Sequence, residues 1–156
     1  MKIVKLTLLK DKNTMINILY ASEMGNALDL AFDIESKVKD TGLDVQCNEM
    51  DDFTVENLSA MKKVMIICST TGDGDVPIMG SDFWEELATS KIDLSGVNYS
   101  LCALGDSSHF SFCGAGRKID AKMKELGAKA ILPRHECDGD IEGADEWAQK
   151  VINKFK

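Results

Sequence analysis

Three stretches of the chain carry residue types that could hold a ligand. The first, Ser22-Glu23-Met24-Gly25-Asn26, joins an apolar run to a helical pattern. Free backbone N–H groups at a helix start attract an anion, Ser22 and Asn26 add donors, and Gly25 permits close approach. It contains no Lys and neither G-x-x-x-x-G-K-[ST] nor G-x-G-x-x-G, so P-loop hydrolysis and the dinucleotide fingerprint are excluded. A terminal monophosphate held by neutral donors fits what remains, and so does an ordinary capped helix start. The second, Thr70-Thr71-Gly72-Asp73-Gly74-Asp75-Val76-Pro77, has two glycines in three positions. Its backbone can expose carbonyls and switch peptide orientation at low cost, which suits the edge of a planar heterocycle or a solvated acidic turn. The third runs from Leu104 to Gly116 and combines glycines with His109, Phe110 and Phe112. A ring there could cover a flat ligand or anchor the loop in the core.

Alternating strands and helices must position these loops. Apolar runs at 15–20, 64–68 and 99–104, an alternating run at 43–47 and a short run at 130–132 read as five strands. Ala27, Leu30, Ala31, Ile34 and Val38 form one face of a helix that Thr41-Gly42 ends. Phe83, Leu87 and Ala88 mark a short helix. Ile119, Met123 and Leu126 stripe another, and Ala144, Trp147, Val151 and Phe155 stripe the last. This alternation predicts an α/β fold: a doubly wound five-stranded parallel sheet, order 2-1-3-4-5, with helices on both faces. Ligands in such sheets bind beyond the carboxyl ends of the strands at the switch point, here between strands 1 and 3. All three loops fall there.

Composition narrows the function classes. The 156 residues are 44% hydrophobic, enough for one sizeable core, and 26 acidic against 18 basic residues give a net charge of −8. That balance argues against nucleic acid or anionic membrane as partner. No apolar run reaches the roughly 20 residues of a membrane span, and residues 1–10 lack the uninterrupted core of a signal peptide. The five cysteines are odd in number and form no C-x-x-C pair, so reduced thiols in a cytoplasmic protein are expected, without disulfides or zinc. Residues 1–14 read as an N-terminal extension of unassigned role before a domain at 15–156. Asp138-Gly139-Asp140-Ile141-Glu142-Gly143 imitates the start of an EF-hand, but its twelfth position is Gln149, so no metal is expected. His135 is expected in a loop, Cys113 as a small packing residue, and Trp84 and Trp147 in the core.

Taken together, the three loops resemble those of the flavodoxin-like family. Ser22-Glu23-Met24-Gly25-Asn26-Ala27 resembles its phosphate loop. Ser69-Thr70-Thr71-Gly72-Asp73-Gly74-Asp75-Val76-Pro77 is similar to the S-T-x-G-x-G-D-x-P loop of short flavodoxins and of the FMN domains of diflavin reductases. Ala103-Leu104-Gly105-Asp106-Ser107-Ser108 matches their G-L-G-[ND] pattern, and Phe112-Cys113-Gly114-Ala115 is similar to the MioC-type short flavodoxins. The resemblance implies FMN as cofactor. Ser22, Glu23, Met24, Gly25, Asn26 and Ala27 would surround its phosphate. Thr70, Thr71, Gly72, Asp73 and Gly74 would flank one face and edge of the flavin. Leu104, Gly105, Asp106, His109, Phe110, Phe112, Cys113 and Gly114 would line the other, with Asp138 beside the flavin edge.

Departures from the family pattern imply weaker FMN binding. Met24 stands where relatives have Thr, His109 where they usually have Tyr, and Thr71 where diflavin reductases often have an aromatic. Loss of one stacking ring, at about 1–3 kcal/mol, corresponds to roughly ten- to a hundredfold. The implied function is a monomeric FMN-binding electron carrier between a basic-faced reductase and an electron-acceptor protein. The Gly72–Gly74 backbone is then the candidate group that responds to flavin reduction. Without a second domain for NADPH, electrons are expected from a partner. The alternatives are a flavodoxin-like module that has lost FMN and serves as an interaction scaffold, and an FMN domain cut from a diflavin reductase.

Overall fold

The computed structural model describes residues 14–108 and 111–156. Its elements in chain order are β1 (Ile16–Ala21), α1 (Asn26–Asp40), β2 (Val45–Glu49), α2 (Val55–Ser59), β3 (Lys63–Cys68), α3 (Ser81–Thr89), β4 (Asn98–Gly105), α4 (Gly114–Glu125), β5 (Lys129–Ala130), β6 (His135–Asp138) and α5 (Ala144–Phe155). The strands run parallel in the order β2-β1-β3-β4-β5, as the alternation predicts.

Burial follows position in the sheet. All six residues of β1 are buried, and so are the last five of β3, because helices cover both of their faces. Strand β2 buries only Gln46 and forms the edge; it starts two residues later than the sequence suggests. Alternate side chains of the central strands go to opposite cores. Ile16, Ile18, Met65 and Ile67 pack with Leu30, Ile34, Trp147 and Val151 under α1 and α5. Leu19, Val64, Ile66 and Leu101 pack with Phe83, Leu87, Ile119 and Met123 under α3 and α4. Trp147 is buried as expected, whereas Trp84 packs only at the rim of its core beneath the Lys118 ammonium, 5.8 Å from the ring centroid.

The fifth strand position is divided. Tyr99 pairs with Ala130, but Cys102 pairs with His135, so two extra residues are extruded around Pro133, which has no N–H for the ladder. The sequence reading ends at the first half. His135, expected in a loop, instead opens β6, which pairs parallel with the upper half of β4. The short helix α2 is also unforeseen. Its Thr54 side chain accepts from the Asn57 N–H while Asn57 accepts from the Thr54 N–H, closing a capping box. The proposed N-terminal extension lies, apart from Thr14, outside the described residues.

Candidate functional site

The loops after β1, β3 and β4 meet at the carboxyl end of the sheet, joined by the turn after β6, and enclose a cleft of about 370 Å³. That volume falls within the range of small-molecule sites.

The first loop leaves its polar groups open. Ser22 follows the last residue of β1, and its hydroxyl is buried without a hydrogen-bond partner among the described residues. A buried polar atom left unpaired costs about 1–3 kcal/mol, so this hydroxyl is held for something the chain itself does not provide. Gly25 precedes α1 with φ +89°, supplies no side-chain cap, and has open space where a Cβ would stand. The N-terminal amides of α1 therefore face the cleft with no side-chain cap. Ala27 anchors the helix in the core, while Glu23, Met24 and Asn26 are exposed along the cleft wall. Met24 is 84% exposed, an unusual setting for an apolar side chain.

The second and third loops are tied to one another instead. Thr71 and Asp75 exchange both backbone hydrogen bonds, at 2.9 and 2.7 Å, around a tip formed by Gly72 (φ +53°), Asp73 and Gly74 (φ +94°). Gly74 and Gly114 touch backbone to backbone: a Cβ on Gly114 would lie 2.8 Å from the Gly74 Cα. The Ala115 N–H donates to the Thr70 hydroxyl at 3.4 Å. Gly105 is required in the same way, since a Cβ there would lie 2.7 Å from the Cys113 nitrogen. Cys113 itself adopts φ +52° and is fully buried, and burial pushes its thiol up to about 12. It packs, as expected, and its burial disfavours the thiolate form.

The acidic groups of this rim are partly occupied by the backbone. The Asp138 carboxylate accepts the Ser107 N–H at 2.8 Å, and Asp106 accepts the Ser108 N–H at 2.9 Å. The Gly139 N–H donates to the Gly105 carbonyl at 2.7 Å, fastening the turn after β6 to the third loop.

Of the expected site residues, Glu23, Met24, Asn26, Thr70, Thr71, Gly72, Leu104, Gly105, Asp106 and Phe112 line the cleft. Ser22, Gly25, Ala27, Asp73, Gly74, Cys113, Gly114 and Asp138 stand behind or beside it, shaping the loops. His109 and Phe110 lie outside the described residues. Ser69, Ser111, Gly139 and Asp140 also line the cleft. They lie inside stretches the sequence singles out, Ser69 at the head of the second loop's motif, Ser111 in the third loop, and Gly139 and Asp140 in the acidic run at 138–143.

The donor set suits a phosphorylated flavin. An unpaired buried hydroxyl and open helix amides stand at one end, and among the described residues the lining contains no Lys or Arg that would suit a polyphosphate. At the other end, Thr70–Gly72 and Leu104–Asp106 with Phe112 bound a space between two backbone walls.

Comparison with known proteins agrees. Residues 18–149 match the flavodoxin family model. The chain is 36% identical over 143 residues to a sulfite reductase [NADPH] flavoprotein alpha-component of Shewanella oneidensis, covering 90% of this chain and 24% of that protein. It is 38% identical over 130 residues to NADPH-dependent diflavin oxidoreductase 1 of Schizosaccharomyces pombe, covering 81% of this chain and 22% of the relative. It thus spans about a quarter of the length of these relatives. Among solved structures, a flavodoxin of Streptococcus pneumonia TIGR4 superposes with a TM-score of 0.78 at 27% identity, covering 90% of this chain and 97% of that one. Fold, loop geometry and these similarities agree that the chain belongs to the flavodoxin family of FMN-binding electron-transfer domains.

Proposed function

We propose that this chain receives electrons from a reductase and delivers them to an acceptor protein, using FMN held in the cleft between the three loops. The observation that carries the reading is the buried, unpartnered Ser22 hydroxyl beside the uncapped start of α1. With the α1 amides it would hold the phosphate, and Thr70–Gly72 and Leu104–Asp106 would border the ring system. Bound FMN supplies the one- and two-electron chemistry; the protein sets its potentials and orientation.

Glu23, Asp106 and Asp140 on the cleft wall, with Asp73 and Asp138 beside it, give the mouth a negative field. That field opposes any gain of negative charge inside the cleft and so lowers reduction potentials there. It also favours partners with a basic docking face, met in weak and salt-sensitive encounters. All five cysteines are free, four of them buried, which supports a reducing cytoplasmic setting. Among the described residues no helix is long and apolar enough to cross a membrane. We take the working form as a monomer.

The test is a visible absorption spectrum of purified protein before and after adding FMN and removing the excess. Retained flavin bands that bleach on stepwise reduction are the expected result. A colourless protein that ignores FMN overturns the reading in favour of an interaction scaffold. The quarter-length match to reductases favours a second reading, an FMN domain of a longer polypeptide. The size of the native protein on an immunoblot decides between the two.

A further inference from the structure

Arg117 occupies a position that local rules disfavour. It lies in the opening turns of α4, its N–H bonded to the Cys113 carbonyl, at the positive end of the helix dipole where a cation is unfavourable. Two contacts compensate. Its guanidinium grips Glu136 on β6 with both ends of the fork, Nε to Oε2 at 2.7 Å and Nη2 to Oε1 at 2.9 Å. Its Cζ also sits 5.3 Å from the centroid of the Phe112 ring. Phe112 lines the cleft.

Glu136 is itself fixed. Arg134 donates to it at 2.9 Å and reaches with its other end to the buried Asp120 carboxylate, which also accepts the Tyr99 hydroxyl. A continuous chain of ionic contacts thus runs from the core of β4, through the divided fifth strand, to the outer side of an aromatic wall of the cleft. The Phe112 ring is partly buried against the core beneath α3 and α4, and the doubly anchored guanidinium lies over it and restricts it further.

We propose that Arg117 is a positioning residue for the cofactor. Held by Glu136, it fixes the Phe112 ring as an aromatic wall of the cleft and brings a positive charge to its acidic rim. This rests on the reading of the cleft as the FMN site. The cation takes no part in the chemistry; it acts through the ring that it covers and, on the potential, through its charge. A cation over an exposed aromatic contributes about 0.5–1 kcal/mol, so its loss should weaken FMN binding about twofold to fivefold.

The test is FMN titration, by quenching of flavin fluorescence, of the wild-type chain and of Arg117→Gln, Arg117→Lys, Phe112→Leu and the Arg117→Gln/Phe112→Leu double variant. Melting of each FMN-free chain is recorded alongside. Arg117→Gln should lose about twofold to fivefold in affinity with a fall in melting of no more than a few degrees, since the guanidinium is half exposed. Arg117→Lys keeps the charge but not the fork, and should fall between it and wild type. Phe112→Leu should lose more, and adding Arg117→Gln to it should cost nothing further. The reduction potential of bound FMN should drop in Arg117→Gln and hold in Arg117→Lys, a split that loop stability alone does not produce. Unchanged affinity in Arg117→Gln, or an additive loss in the double variant, overturns the inference while the cofactor reading stands. A wild-type chain that does not bind FMN overturns both.

Discussion

The first loop and the joined second and third loops face each other across one cleft and are built on opposite principles. In the first, the chain leaves its own polar groups unmet: a buried hydroxyl without a partner and a helix start without a side-chain cap. In the others nearly every group is spoken for, by the Thr71–Asp75 pair, the Gly74–Gly114 contact, and the Asp138 and Asp106 carboxylates on neighbouring amides. A buried donor that the chain leaves unmet destabilises the free protein until a ligand or an ordered water takes it up. A satisfied loop adds stability whether or not a ligand is present. One side of the cleft supplies binding energy, and the other supplies shape.

The sharpest way to break this contrast is Gly114→Ala. The new methyl would lie 2.8 Å from the Gly74 backbone, so the two walls must part. Overpacking of this kind costs about 1–3 kcal/mol, and the urea midpoint of the FMN-free chain should fall accordingly, with weaker FMN binding besides. A midpoint equal to wild type would mean that the loops are not locked together.

Ser22→Ala should move the two properties in opposite directions. Removing the unpaired hydroxyl should raise the stability of the FMN-free protein by about 1 kcal/mol. It should also cost a charge-assisted hydrogen bond of about 1.5–3 kcal/mol, or roughly ten- to a hundredfold in FMN affinity. Loss of both stability and affinity would show that Ser22 is structural. Met24→Thr sharpens the same side with a smaller effect. Met24 is almost fully exposed, so melting should stay put, while a new hydroxyl on the open loop should tighten FMN about two- to tenfold. Isothermal titration with FMN measures both variants.

How far the site was legible follows from how local its signals are. Ser22, Gly25, Gly72, Gly74 and Gly105 announce themselves because tight loops and helix starts demand particular residue types within a few positions. The apolar strands and the striped helices are legible for the same reason. Strand β6 is not, because His135-Glu136-Cys137-Asp138 has one buried apolar member, and its pairing with β4 depends on a partner about thirty residues away. The acidic run from Asp138 was expected at the cofactor edge; its Gly139 and Asp140 line the cleft, and Asp138 beside them holds the Ser107 amide. The ionic chain from Tyr99 to Arg117 leaves no periodic trace, since it joins three separate elements through side chains alone.

The smallest effect tests whether charge contributes to the satisfied side of the cleft. The Arg117 guanidinium, and after it Arg134, hold the Glu136 carboxyl down from 4.5 to about 2. A carboxyl depressed in the folded state contributes stability above its unfolded pKa, and the contribution fades as pH falls from about 4.5 towards 2. Other carboxylates titrate in the same window, so the informative quantity is the difference in melting temperature between wild type and Glu136→Gln. That difference should amount to a few degrees near pH 7 and shrink steadily below pH 4.5 as the wild-type carboxyl is protonated. Added salt should shrink it too, because the Arg117 side of the pair is half exposed. A difference that stays constant with pH would mean that Glu136 acts by shape and hydrogen-bond count alone. The electrostatic tie between β6 and the start of α4 would then have to be withdrawn.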